Sequence, residues 1–242
     1  MRLSGKVALI TGGSRGIGFA TAKILSENGA TVIITARNQE RLEKSISKIP
    51  NSMGIAADIR NSNDVKNVVN KTIEKFGRLD ILVNNAGIFP KIKQLHEIDE
   101  DEWNEVLDVN LTGQFRFTKE AIPHLQKTSG SIINISSDAG IKAYQGFNAD
   151  AYSASKAALI LLTKCWALEY SKDKIRVNCI CPGVVDTDMT KPFLKTQKDK
   201  EFMNSEHPIG RIGQPDEIGK AVLYFASDDA SWTTGAVLTV DG

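Results

Sequence analysis

The chain has 242 residues, 41% hydrophobic and 24% charged, which is enough to bury one α/β core without a second domain. A formal net charge of +1, with acids and bases mixed along the chain, gives no long-range field for phosphate backbones or anionic membranes, so neither nucleic acid nor membrane is expected as a partner. No apolar run reaches transmembrane length and no signal core follows Met1, which predicts a cytoplasmic protein. The three cysteines are read as reduced thiols, and no metal site is expected because Cys179 and Cys181 share a strand face without a further ligand.

Short runs rich in Val, Ile and Leu alternate with segments of helical period. The runs are Lys6 to Ile10, Thr31 to Thr35, Gly54 to Ala57, Asp80 to Val83, Ser131 to Ile135, Arg176 to Cys181 and Ala236 to Val240. This alternation predicts an α/β chain, one Rossmann domain over residues 1–242, with a doubly wound, seven-stranded parallel sheet and helices on both faces.

The first strand runs into Thr11-Gly12-Gly13-Ser14-Arg15-Gly16-Ile17-Gly18 and then an apolar helix. Gly12 can take the positive φ of the turn, Gly16 lets the backbone approach a pyrophosphate, and Gly18 lets helix and sheet pack closely. The helix N-terminus offers N–H groups to an anion. The spacing Thr-Gly-x-x-x-Gly-x-Gly resembles that of the short-chain dehydrogenase/reductase family. The resemblance implies that Thr11, Gly12, Ser14, Arg15, Gly16, Ile17 and Gly18 bind a nicotinamide dinucleotide.

At the end of the second strand the resemblance places the residue that selects the cofactor. That position is Ala36, followed by Arg37. A carboxylate there would repel a 2′-phosphate, whereas a guanidinium binds it with paired charge-assisted hydrogen bonds. Arg37 with Arg15 thus implies NADP(H). After the third strand, Asp58 and Ile59 match the family's adenine contacts. After the fourth, Asn84-Asn85-Ala86-Gly87 resembles its Asn-Asn-Ala-Gly signature, with Asn85, Ala86 and Gly87 lying along the cofactor. Asn110 matches the asparagine that interrupts a helix and holds a water linked to the catalytic lysine.

The fifth strand leads to Ser136 and Ser137, of which Ser137 matches the substrate-binding serine and Ser136 is read as structural. Tyr152 and Lys156 then fall one turn apart on the same face of a long helix. A phenol has a pKa of ~10, and a cation held at ~4 Å contributes on the order of 4 kcal/mol at an effective dielectric of 20, about three pKa units. The expectation is a tyrosine brought near neutral pH. By resemblance, Tyr152 donates the proton, Lys156 binds the nicotinamide ribose, Ser137 holds the substrate oxygen, and Asn110 maintains a proton relay.

After the sixth strand, Pro182-Gly183-Val184-Val185-Asp186-Thr187 matches a family motif in which Pro182, Gly183, Val185 and Thr187 orient the nicotinamide. The polar stretch from Asp186 to Pro208 is predicted to carry short helices and to act as a substrate lid. Gly-Gly-Ser-Arg-Gly-Ile-Gly near the start and Gly210-Arg211-Ile212-Gly213-Gln214-Pro215-Asp216-Glu217-Ile218 near the end are most similar to 3-oxoacyl-thioester reductases. The expected activity is therefore NADP(H)-dependent reduction of a 3-oxoacyl group on acyl carrier protein or coenzyme A. A sugar or secondary-alcohol dehydrogenase is the alternative within the family, and a non-catalytic NADP-binding regulator the alternative outside it. Two features depart from the family pattern: a longer 138–151 loop carrying Tyr144, Gln145 and Phe147, and Thr128 and Asp173 where carrier-protein docking arginines are usual. The C-terminal helix and strand resemble a homotetramer-forming surface.

Overall fold

The computed structural model describes residues Met1–Gly242. Its strands are β1 (Val7–Ile10), β2 (Thr31–Ala36), β3 (Ser52–Ala56), β4 (Ile81–Asn84), β5 (Ser131–Ile135), β6 (Arg176–Pro182) and β7 (Val237–Val240). All pair in parallel, in the order β3-β2-β1-β4-β5-β6-β7. Every predicted strand is present, with β3 beginning two residues earlier than expected because Ser52 and Met53 pair with Val32 and Ile33.

The helices are α1 (Gly16–Glu27), α2 (Gln39–Ile46), α3 (Ser62–Phe76), α4 (Glu100–Leu107), α5 (Gly113–Leu125), α6 (Asp150–Glu169), α7 (Gln197–Ser205) and α8 (Pro215–Ala226). Strands β1, β4 and β5 are buried at every position, as expected for a sheet covered on both sides. On one face, Leu25 of α1, Leu42 of α2 and Ile218, Val222 and Phe225 of α8 pack on Ile10, Ile34 and Val83. On the other, Val65 and Val68 of α3, Phe117 of α5 and Leu159 and Trp166 of α6 pack on Leu9, Ile33 and Leu82.

Alternate residues of each central strand thus serve opposite cores. The strand order reverses between β1 and β4, so the loops leaving their carboxyl ends diverge and open a crevice there. No helix is long and apolar enough to cross a membrane. The segment between β6 and α8 carries a 3-10 turn, Lys191–Phe193, and α7, matching the short helices expected there.

Candidate active site

The crevice at the strand reversal is a cleft of about 330 Å3. Gly12 and Gly16 take φ of +68° and +52°, a region costly for any residue with a Cβ. At Gly18 an added Cβ would stand 2.5 Å from both the Gly12 carbonyl oxygen and Asn85 Nδ2, so only glycine lets α1 sit this close to the loop. The first turn of α1 has no side-chain cap. Its free N–H groups therefore face the cleft as an anion site.

Gly12, Ser14, Arg15, Gly16, Ile17 and Gly18 all line the cleft. Thr11 does not: it lies fully buried beneath the loop, where its Oγ1 accepts from the Asn85 and Ala86 N–H groups at 2.9 Å each. Thr11 holds the two loops in register instead. Gln114 of α5 supports the same loop by donating to the Ala86 carbonyl.

At one end of the cleft stand Arg37, Asn38, Arg41, Asp58 and Ile59. Arg37 is exposed. Asp58 is engaged by its own neighbour: Arg60 donates to it through Nη2 at 2.7 Å and Nε at 3.1 Å, which holds the carboxyl below its usual range. At the other end are Asn85, Ala86, Gly87, Ser137, Tyr152, Lys156, Pro182, Gly183 and Val185, while Thr187 also lines the cleft but lies against Gly16 of the glycine loop. The uncapped helix start, the glycine floor and the arginines at the far rim fit an elongated ligand with a central pyrophosphate.

The polar residues at the inner end are placed by one irregularity and one helix. Between α4 and α5 a π turn spans Asp108–Thr112, with the Gly113 N–H reaching back to Asp108 O. It carries Asn110, whose Oδ1 accepts from the Ile88 N–H at 2.8 Å while Nδ2 donates to Ile88 O at 3.0 Å. Asn110 is wholly buried, behind Gly87. A Cβ on Gly87 would lie 3.4 Å from Asn110 Oδ1 and 3.6 Å from Lys156 Nζ, so this glycine keeps the space between them open.

Helix α6 presents Tyr152 in its first turn and Lys156 one turn later, both buried. Ser136 is structural as expected, donating to the Lys156 carbonyl at 2.8 Å. The electrostatics differ from the sequence expectation. Burial pushes the Tyr152 phenol up to about 12, with Ser137 pulling the other way and Asp138 adding to the rise. Burial also pulls Lys156 down to about 8, opposed by the thiols of Cys179 and Cys181. Lys156 Nζ donates to the Ile135 carbonyl at 3.0 Å and lies 5.5 Å from the Tyr152 ring centroid. The ammonium is thus turned onto a main-chain oxygen rather than the phenol, and desolvation outweighs the cation.

Ser137 leaves β5 and caps a 3-10 turn, donating to Asp138 Oδ1 at 3.1 Å. The 138–151 loop folds over it: Tyr144 donates to Asp138, and its phenol is pushed up by burial and by that carboxylate. Four aromatic rings then form a wall beside Tyr152. Phe89 lies 4.9 Å from Tyr152, 5.5 Å from Phe193 and 5.6 Å from Phe147 between ring centroids. Phe89, Phe193, Asp138, Arg41 and Asp188 escaped the sequence reading. Phe89 lies two residues beyond the Asn-Asn-Ala-Gly signature and Arg41 four residues beyond Arg37, but neither position repeats a pattern that marks it.

Residues 12–242 match the family model described as enoyl-(acyl carrier protein) reductase. The chain is 40% identical over 247 residues to a 3-oxoacyl-(acyl-carrier-protein) reductase of Thermotoga maritima, covering 100% of this chain and 98% of that protein. It is 37% identical to L-fucose dehydrogenase of Bos taurus, covering 100% and 90%, and 36% identical to meso-2,3-butanediol dehydrogenase of Serratia marcescens, covering 100% and 95%. The crystal structure of gox2181 matches with a TM-score of 0.95 at 32% identity, covering 99% of this chain and 95% of that one. The chain belongs to the short-chain dehydrogenase/reductase family, oxidoreductases that interconvert carbonyl and CH–OH groups with a nicotinamide cofactor.

Proposed function

We propose that this protein is an NADP(H)-dependent reductase of 3-oxoacyl thioesters, with Tyr152 as the proton donor. The observation that carries the reading is the convergence of Tyr152, Ser137 and Lys156 at one end of the cleft, against the aromatic wall of Phe89, Phe147 and Phe193. A bound nicotinamide dinucleotide supplies hydride. What the protein adds is placement and a proton.

A phenol held at about 12 is protonated throughout the physiological range, so Tyr152 carries a proton to give, and the carbonyl oxygen becomes basic enough to take it only as hydride arrives and negative charge builds there. Ser137 is placed to hydrogen-bond that oxygen as charge develops on it. Lys156, buried and within one turn, is the cation that restores the proton to the site. The aromatic wall offers apolar surface to an acyl chain and few partners for the hydroxyls of a sugar. Closure of the 186–208 segment, which contributes Phe193 to that wall, would exclude water.

Similarity to a fucose and a butanediol dehydrogenase, at identities close to that of the 3-oxoacyl reductase, favours a second reading as a sugar or secondary-alcohol dehydrogenase. NADPH oxidation with acetoacetyl-CoA and longer oxoacyl thioesters, run beside NADP+ reduction with fucose and 2,3-butanediol, separates them. The thioesters are expected to give the higher kcat/KM, rising with chain length. A higher value for either alcohol would replace the first reading with the second. Tyr152→Phe should lower kcat by roughly 10²–10⁴-fold with cofactor affinity retained.

A further inference from the structure

At the outer rim of the cleft one carboxylate gathers three cations. Asp188, near the start of the 186–208 segment, lies 3.5 Å from Arg15 Nη1 and 3.9 Å from Arg41 Nη1 through the same oxygen, Oδ2. Its other oxygen accepts from Lys191 Nζ at 2.8 Å. Arg15 belongs to the glycine loop and Arg41 to the first turn of α2, so two separate elements direct guanidinium groups at one point.

Those two elements form one frame. Ser45 of α2 donates to the Ser14 carbonyl at 2.9 Å, and Asn38 caps α2 by accepting from the Arg41 N–H at 2.7 Å. Asp188 comes from elsewhere, beyond β6, and reaches the frame as a visitor. Arg15, Arg37, Arg41 and Asp188 all line the same cleft. The contacts to the arginines are long for charge-assisted hydrogen bonds, which run at about 2.7–2.9 Å, so the carboxylate sits in the field of the pair without closing a fork. Lys191 first, and then Arg15, hold Asp188 below the usual carboxylate range.

A phosphate carries more charge and more acceptor oxygens than a carboxylate, and suits two or three guanidinium groups better. We infer that Arg41 joins Arg15 and Arg37 as a specificity-determining residue for a 2′-phosphate, and that Asp188 is the internal anion this phosphate displaces, freeing the 186–208 segment from the rim. The inference rests on the NADP(H) reading. It adds a consequence for discrimination: a ligand without the 2′-phosphate leaves Asp188 in place, so the same arginines both attract one cofactor and report its arrival to the segment that carries Phe193.

The test uses adenosine 2′,5′-bisphosphate and 5′-AMP as probes, titrated calorimetrically into the whole protein, so that no turnover is read. In the wild type the bisphosphate should bind at least roughly tenfold tighter than 5′-AMP. Equal binding would remove the NADP(H) reading itself. With that preference present, Arg41→Gln should lose most of it while 5′-AMP affinity is unchanged, and Asp188→Asn should bind the bisphosphate roughly three- to tenfold tighter with 5′-AMP again unchanged. Asp188→Glu, which keeps the charge, should behave as wild type.

Tryptic nicking at Lys195, Lys198 and Lys200 gives the second readout. It should be slow in the unliganded wild type, faster on adding the bisphosphate, and fast without ligand in Asp188→Asn. An Asp188→Asn protein with wild-type affinity and wild-type nicking would overturn the role of Asp188. A wild-type bisphosphate preference in Arg41→Gln would overturn that of Arg41.

Discussion

Tyr152 and Lys156 lie one helical turn apart, and burial drives each toward its neutral form: the phenol up to about 12, the amine down to about 8. Their effects on stability fall in different pH ranges. Between about 8 and the ordinary lysine value of 10.5, the unfolded chain binds a proton at Lys156 that the folded chain has released, so this residue makes stability rise with pH there. Below 8 both states are protonated and the full cost of burying the ammonium is present. Tyr152 acts higher, with stability lost as pH rises from 10 towards 12, where the unfolded chain has released a proton that the folded chain retains. Lys156→Met should therefore lack a rise of roughly 2 kcal/mol that the wild type shows between pH 7.5 and 9.5, read from urea midpoints. Parallel profiles for the two proteins would mean that Lys156 is not pushed down by its surroundings. The Tyr-x-x-x-Lys spacing and the convergence on Ser137 were legible in the sequence. The sign of the tyrosine's shift was not, because it depends on how dry the site is and on Nζ turning to the Ile135 carbonyl.

At the scale of elements, the site depends on how tightly the turn after β5 is seated on α6. A Cβ at Gly140 would stand 2.7 Å from the Lys156 carbonyl carbon and 2.8 Å from the Ala157 nitrogen, both main-chain atoms of a buried helix that cannot yield. Gly140→Ala must lift the turn, and Ser137 sits at its start. The substitution should cost about 1–3 kcal/mol of stability by overpacking and lower kcat more than it raises KM, since it moves Ser137 away from Tyr152 without touching the cofactor end of the cleft. Thermal denaturation and steady-state kinetics check both halves, and an unchanged kcat would show that the position of Ser137 tolerates the shift. The strands were readable because parallel strands buried on both faces become continuous apolar runs. Less readable were the polar residues inside them. Asn84 of β4 donates to Thr118 and to Asn134 of β5, and Asn134 donates in turn to Thr163 of α6, a buried chain that looks in sequence like loop composition. The π turn at Asn110 likewise leaves no mark in composition, and its interruption of the helical run between α4 and α5 was legible only through the family resemblance.

Over the whole molecule, topology followed from the alternation of strand and helix, because right-handed crossovers allow few other arrangements. What one chain's pattern does not reveal is which apolar residues remain uncovered once it folds. Two groups do. Tyr224 of α8, Leu238 of β7 and Trp232, which is 99% exposed, cluster around the open edge of the sheet. Phe115 of α5 with Leu161 and Leu168 of α6, the last 80% exposed, lie on the helices covering one face. An open edge strand with apolar neighbours is covered in most native proteins, and two separate patches, each pairing with its own copy about a two-fold axis, would build a closed tetramer rather than a dimer. Light scattering should give four times the mass of one chain. Leu238→Lys should leave dimers joined through α5 and α6, and Leu161→Glu dimers joined through β7 and α8. Each single variant yielding monomers would mean that one surface alone makes the assembly, and a monomeric wild type would leave both patches without a role in self-association. Because β7 adjoins β6, which ends at Pro182 on the cleft, the variant that opens this edge should also be the one that raises the cofactor KM, where Leu161→Glu does not.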